Sequence, residues 1–280
     1  MCRLVGWVSS SPRTLRSVLG DDAIERLRQL STVHCHGWGV AWHDDGGALR
    51  TRRSSLPAHE DADFAAVVDG LAARRAAVHL RMGTPGYGRT VAENHPFSDG
   101  QWALSHNGAV APTHLVDALL PDGVAPWGTT DSERWFLALR ARLSSGSSVR
   151  DAVGSVVAHA SEVGLHASSW NSLLLGPDAL HVVNHHDRSW IPVDVKVWPD
   201  IYPEDEAVSW PPYFDLSMRA VDGCVTVVSS GIVEEPDGWT LLPNESVVTV
   251  SPDGDVSLAG IGPVGELATS PSASPFSVEW

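Results

Sequence analysis

Short apolar runs, alternating or nearly so and bounded by glycine, proline and polar clusters, predict strands at residues 2–8, 39–43, 77–82, 101–105, 172–175, 180–184, 225–229 and 246–250. A period near 3.6 predicts helices over 62–75, 131–143 and 149–162. The second of these starts well: Thr130 and Glu133 form a capping box, and Trp135, Leu139 and Leu143 make an apolar stripe. Strands precede the helical middle and follow it at hairpin-like spacing, and no internal repeat is visible. That order favours antiparallel sheets with helices packed outside them over a parallel βαβ array. The stretch 189–214 breaks the pattern. It carries Trp190, Trp198 and Trp210 among five prolines and several acids, so it is expected to be an irregular lid or binding loop. The expected organisation is one domain over 2–262 and a Ser/Pro-rich tail over 263–280.

Composition narrows the class. A 43% hydrophobic content with 12 Trp in 280 residues suits a packed globular core. A net charge of −15 argues against nucleic acid or an anionic membrane surface as partner. Cys2, Cys35 and Cys224 are widely spaced and odd in number, which suits a reducing cytoplasm better than a disulfide scaffold. The apolar run at 4–8 is too short for a signal-peptide core, and no stretch reaches transmembrane length. The expectation is a soluble cytoplasmic protein.

The candidate chemistry begins at Cys2, directly after Met1. Removal of Met1 would leave a cysteine carrying both its thiol and a free α-amine, and the amine can act as general base for its own side chain. Unperturbed pKa values of about 8 for the amine and about 8.5 for the thiol suit that exchange. Four later segments bear on it. Gly37-Trp38-Gly39 permits a tight turn and a close approach by another segment. In His79-Leu80-Arg81-Met82-Gly83-Thr84, alternation turns Val78, Leu80 and Met82 one way and His79 and Arg81 the other. Arg81 is then either a solvent-facing edge residue or a bidentate grip on a carboxylate. Asn107-Gly108 is a strong hairpin signal, and also a pair whose side-chain amide and backbone N–H could converge on an oxyanion. Asp131 suits the first turn of a helix, and equally could accept hydrogen bonds from a substrate ammonium.

Taken singly, each segment has a plain structural explanation. In this order, and with Asn94-His95-Pro96-Phe97 between them, they resemble the class II glutamine amidotransferases among the N-terminal-nucleophile hydrolases. The resemblance covers roughly residues 2–145 and is nearest the stand-alone branch that includes the γ-glutamyl amide hydrolase of the ergothioneine pathway. It implies an α+β fold, a four-layer α/β/β/α sandwich of two antiparallel sheets, and no cofactor or metal. It implies Cys2 as nucleophile with its α-amine as base, Asn107 and Gly108 as oxyanion hole, and Arg81 and Asp131 as partners of the glutamyl carboxylate and ammonium. Thr84 falls where a substrate-contacting threonine is expected. The implied reaction is cleavage of a γ-glutamyl amide through a γ-glutamyl thioester, releasing glutamate from a small-molecule substrate. Met82 and His36 depart from the pattern, which commonly has an aromatic and an acidic residue there.

Three other readings stay open at this point. The chain could be a glutaminase subunit handing ammonia to a separate synthetase, or a catalytically inactive protein that binds γ-glutamyl ligands. A metal site built on His34, Cys35 and His36 with His185 and His186 is disfavoured, because adjacent residues on a strand point to opposite faces.

Overall fold

Strand β1 (Arg3–Arg13) is the spine of the larger of two sheets in this computed structural model, which describes residues 2–84, 87–187, 212–233 and 236–262. Along the chain follow α1 (Leu15–Leu19), α2 (Asp21–Leu30), β2 (Trp38–His43), β3 (Leu49–Ser54), α3 (Ala62–Gly70) and β4 (Ala73–Leu80). A 3-10 turn at Val91–Glu93 precedes β5 (Phe97–Ser98), β6 (Ala103–Asn107) and β7 (Val110–Ala111). A second such turn, at Thr113–Leu119, leads to α4 (Asp131–Ser144), α5 (Val149–Glu162), β8 (His166–Ala167), β9 (Asn171–Leu175) and β10 (Leu180–Asn184). Last come β11 (Leu216–Val221), β12 (Cys224–Ser229), β13 (Thr240–Leu241), β14 (Ser246–Val250) and β15 (Val256–Gly260).

The seven-stranded sheet runs β13-β11-β12-β1-β4-β2-β3, and the six-stranded sheet runs β15-β14-β10-β9-β6-β5. Neighbours in both are antiparallel. Alternation along each strand builds the layers. Leu4, Val8 and Ala77 meet Ala103, Leu173, Leu175 and Val182 between the sheets. Val5, Trp7, Trp38 and Val78 pack outward on Leu15, Leu27, Phe64 and Val67 from α1, α2 and α3. On the other outer face, Leu104, Leu174 and Val183 pack on Trp135, Leu139, Val153 and Val156 from α4 and α5. The result is the expected four-layer α/β/β/α sandwich of two antiparallel sheets.

Two boundaries differ most from expectation, and the strand expected over 101–105 is displaced to Ala103–Asn107. The helix expected over 62–75 stops at Gly70, and Ala73 begins β4. The run Ala72-Ala73-Arg74-Arg75-Ala76-Ala77 has helical propensity, but β4 sits between β1 and β2, and pairing on both edges outweighs it. Strand β1 continues past Val8 to Arg13 through a register irregularity, so polar Ser9-Ser10-Ser11 belongs to a strand. The unanticipated edge strand β3 carries Arg50, Thr51, Arg52 and Arg53 and has little apolar signal to read. Most of the stretch expected at 189–214, and the tail at 263–280, lie outside the described residues; Tyr213 and Phe214 are buried in the layer under α1 and α2. Among the described residues, no helix is long and apolar enough to cross a membrane.

Candidate active site

The register of β1, β4 and β6 gathers the candidate residues at one end of the inter-sheet layer. Leu4, Ala77 and Ala103 face that layer, and steps of two residues from them reach Cys2, His79 with Arg81, and Asn107. A bridge across the sheets confirms the facing: His79 Nε2–H donates to the His106 carbonyl at 3.2 Å.

Cys2 is buried, and its thiol lies against the backbone of Met82. Sγ donates to the Met82 carbonyl at 3.6 Å and accepts the Met82 N–H at 3.4 Å. Burial pushes the thiol pKa up, while the Met82 N–H and the charges of Arg81 and Arg3 pull it down. Arg3 Nη1 donates to the Cys2 carbonyl at 2.8 Å, and its guanidinium lies over the Tyr213 ring, 4.9 Å from the centroid.

Arg81 is 2% exposed. Its Nη2 donates to the Gly88 carbonyl at 2.8 Å, while Nη1 is buried without a hydrogen-bond partner among the described residues. Burial lowers its pKa, opposed by the nearby Cys2, Glu93 and Asp131. A guanidinium held by one nitrogen and open at the other can take a carboxylate. Glu93, which the sequence motifs did not single out, packs against Gly88 so closely that a Cβ there would lie 1.9 Å from Oε2. Glu93 also accepts the Thr129 hydroxyl at 2.6 Å. Its readable signal is the capping box Thr90-Val91-Ala92-Glu93. Thr84 is half-buried, and its carbonyl accepts the Tyr87 N–H at 3.2 Å.

Asn107 is fully buried, yet neither its Oδ1 nor its Nδ2 has a partner among the described residues. The hairpin reading of Asn107-Gly108 fails. Strand β6 pairs with β5 and β9, and Gly108 is absent from the glycines with positive φ. Glycine is required there for a different reason: a Cβ would lie 1.8 Å from the Ser169 carbonyl. His106 fixes this corner from the helix side. Its Nε2 donates to the Ser169 carbonyl at 3.0 Å, which leaves Nδ1 to accept the Ser132 hydroxyl at 2.9 Å. Asp131, the first residue of α4, is buried; its Oδ2 accepts Val110 N–H at 2.7 Å and its Oδ1 accepts Ser132 N–H at 2.9 Å. A carboxylate has about four lone-pair sites, so Asp131 retains capacity for an ammonium.

The Gly37-Trp38-Gly39 motif admits the Asn94-His95-Pro96-Phe97 segment. A Cβ on Gly37 would lie 2.1 Å from Asn94 Nδ2, and one on Gly39 2.0 Å from the His95 carbonyl. Asn94 Nδ2 donates to the Ser54 carbonyl at 2.6 Å, and the His95 ring packs on His79 with centroids 4.1 Å apart. Burial holds both rings neutral, His79 near a pKa of about 3. Of the histidines in the disfavoured metal reading, His36 accepts the Gly83 N–H at Nδ1 and His186 Nε2 lies 2.9 Å from Asp215 Oδ1. The backbone N–H of His185 donates to Asn171 Oδ1 at 2.8 Å, and its ring Nδ1 is buried without a hydrogen-bond partner among the described residues. His186 is buried in this pairing with Asp215. Among the described residues, no group of three or more His, Cys, Asp or Glu is placed to hold a metal.

A family model described as "Glutamine amidotransferases class-II" matches residues 1–193, a span that includes all of these positions except Tyr213 and Asp215. The chain is 34% identical over 172 residues to the γ-glutamyl-hercynylcysteine sulfoxide hydrolase of Mycolicibacterium smegmatis, covering 58% of this chain and 70% of that one. A hydrolase of the same name from Mycobacterium tuberculosis is 31% identical over 139 residues, with 47% and 57% covered. Among solved structures, a glutamine aminotransferase class-II domain protein from Silicibacter pomeroyi superposes with a TM-score of 0.62 at 18% identity, over 94% of this chain and 100% of that one. The glutamine phosphoribosylpyrophosphate amidotransferase of B. subtilis gives a TM-score of 0.58 at 15% identity, over 93% and 49%. At such identities the two structures speak to fold alone.

Proposed function

We propose that this chain, which belongs to the class II glutamine amidotransferase family, hydrolyses a γ-glutamyl amide with Cys2 as its nucleophile. Once Met1 is removed, the α-amine of Cys2 takes the thiol proton, and the thiolate attacks the γ-carbonyl of the substrate. Asn107 Nδ2 and the Gly108 N–H receive the developing oxyanion. The protonated amine then gives its proton to the departing amine as the C–N bond breaks, leaving a γ-glutamyl thioester on Cys2. Water adds to that thioester and glutamate departs. Arg81 holds the glutamyl α-carboxylate, Asp131 its ammonium, and Thr84 lines the same loop.

One observation supports this reading above the others. At the same end of the inter-sheet layer as the buried Cys2 thiol, an Arg81 nitrogen and the Asn107 amide are buried and lack hydrogen-bond partners among the described residues. Leaving such groups unmet costs about 1–3 kcal/mol each, a cost that a bound carboxylate and an oxyanion would remove. An inactive binding protein would have a use for Arg81 but none for an idle amide at the same end of the layer as the thiol.

For the leaving group, the names of the Mycolicibacterium and Mycobacterium relatives favour a γ-glutamyl conjugate of a large amine, such as γ-glutamyl-hercynylcysteine sulfoxide, over glutamine. The other reading is a glutaminase that supplies ammonia to a separate synthetase. Comparing kcat/KM for L-glutamine and for a γ-glutamyl cysteine conjugate, with Cys2→Ala as control, separates them. Preference for the conjugate is expected. Preference for glutamine would favour the ammonia-supplying reading, and turnover by Cys2→Ala would remove the mechanism altogether.

A further inference from the structure

A single peptide unit links His36 to the thiol. Its carbonyl, Met82 O, accepts from Cys2 Sγ at 3.6 Å, and its amide, Gly83 N–H, donates to His36 Nδ1 at 2.8 Å. The amide one residue earlier, Met82 N–H, donates to Sγ at 3.4 Å. This stretch lies just past the end of β4 at Leu80, where the regular ladder no longer holds the backbone. The His36 main chain continues that ladder: its N–H donates to the Arg81 carbonyl at 3.0 Å, and the Arg81 N–H donates to the Gly37 carbonyl at 2.8 Å. His36 therefore grips Arg81 through its backbone and Gly83 through its ring. The packing is tight, since a Cβ on Gly83 would lie 3.3 Å from both His36 Nδ1 and Arg81 Nη2.

Accepting at Nδ1 places the ring proton on Nε2 and makes the ring neutral. Burial, with the charges of Arg89 and Arg81, lowers its pKa to about 4, so it remains an acceptor at neutral pH.

We propose that His36 is a positioning residue for the nucleophile: its neutral ring fixes the Met82–Gly83 peptide, and that peptide aims the Cys2 thiol beside Arg81. The inference rests on Cys2 being the nucleophile. It gives a role to a residue at which this chain departs from the pattern it resembles.

Two substitutions test it. His36→Phe keeps a ring of similar size and removes the acceptor. His36→Asn places an amide oxygen near the Nδ1 position and keeps it. The readouts are kcat and KM on a γ-glutamyl amide, the pH profile of Cys2 alkylation by iodoacetamide, and Tm. In His36→Phe, kcat should fall by about 10- to 100-fold, the scale on which a misplaced reacting group costs rate, with a smaller change in KM. The midpoint of Cys2 alkylation should move to lower pH, because the Met82 carbonyl that accepts the thiol proton is no longer held at Sγ, while the Met82 N–H stays on the peptide gripped by the His36 backbone. His36→Asn should restore most of both. An unchanged kcat and alkylation profile in His36→Phe would overturn the proposal. So would equal impairment of both variants in step with Tm, which marks simple packing. Failure of the underlying reading looks different: wild-type turnover would survive Cys2→Ala, while the alkylation profiles would still report on the thiol's orientation.

Discussion

At the scale of single residues, Asn107 and Arg81 make different predictions, one about kcat and the other about KM. Asn107 makes no side-chain hydrogen bond among the described residues although it is fully buried, so the resting fold gains little from it. Asn107→Ala should lower kcat by roughly 10²–10³ with little loss of Tm, measured by steady-state kinetics and calorimetry on the same preparation. A large fall in Tm with an unchanged kcat would make Asn107 a structural residue. Arg81→Ala removes the charged partner proposed for the glutamyl carboxylate, and should raise KM by roughly tenfold or more. Motif order made these two residues and Cys2 legible, and it suggested a close approach at Gly37 and Gly39. What it could not supply was the reason for Gly108. A hairpin turn is the strongest local explanation of Asn-Gly, whereas the Ser169 carbonyl that excludes a side chain comes from a segment about sixty residues away. His36 was legible only as a departure, because its partner, Gly83 N–H, is likewise distant in sequence.

At the scale of elements, the glycines separate space from propensity. Gly39 lies in β2 against the His95 carbonyl, so Gly39→Ala should destabilise the fold by at least the ~1–3 kcal/mol typical of overpacking. Gly154 sits inside α5 with nothing within 4 Å of a Cβ, so Gly154→Ala should stabilise by about 0.5–1 kcal/mol. Urea or thermal denaturation of the pair checks both, and a destabilised Gly154→Ala would contradict the open space around that helix face. The strands at 180–184 and 246–250 and the helix at 149–162 were readable to the residue because local pattern and tertiary setting agree there. The segment 71–77 was not, because alanine-rich composition points to helix while its place between two strands decides for β4. Strand β3 was unreadable because an edge strand with arginines on it carries hardly any apolar alternation.

At the scale of the whole molecule, the order of strands and helices was enough to suggest two antiparallel sheets with helices outside, but not the register that places Cys2, Arg81 and Asn107 together. That register follows from pairing and inter-sheet packing between segments far apart in sequence. The same layers bury histidines without charging them. Burial lowers His79 to about 3 and His43 and His181 to about 4, and places His95 well below its usual value. The unfolded chain protonates histidine near about 6.5. Stability is therefore fully present above that pH, and it declines as pH falls from about 6.5 toward 4, because the unfolded state binds more protons. The Tm should fall progressively between pH 7 and pH 4.5, and a flat profile would contradict neutral histidines in the core. The most direct test of Cys2 as an N-terminal nucleophile is the intact mass of the protein before and after a glutamine-mimicking diazoketone, with peptide mapping of the adduct. Loss of Met1 together with one adduct on Cys2 is the expected result; a retained Met1, or an unmodified Cys2, would contradict it.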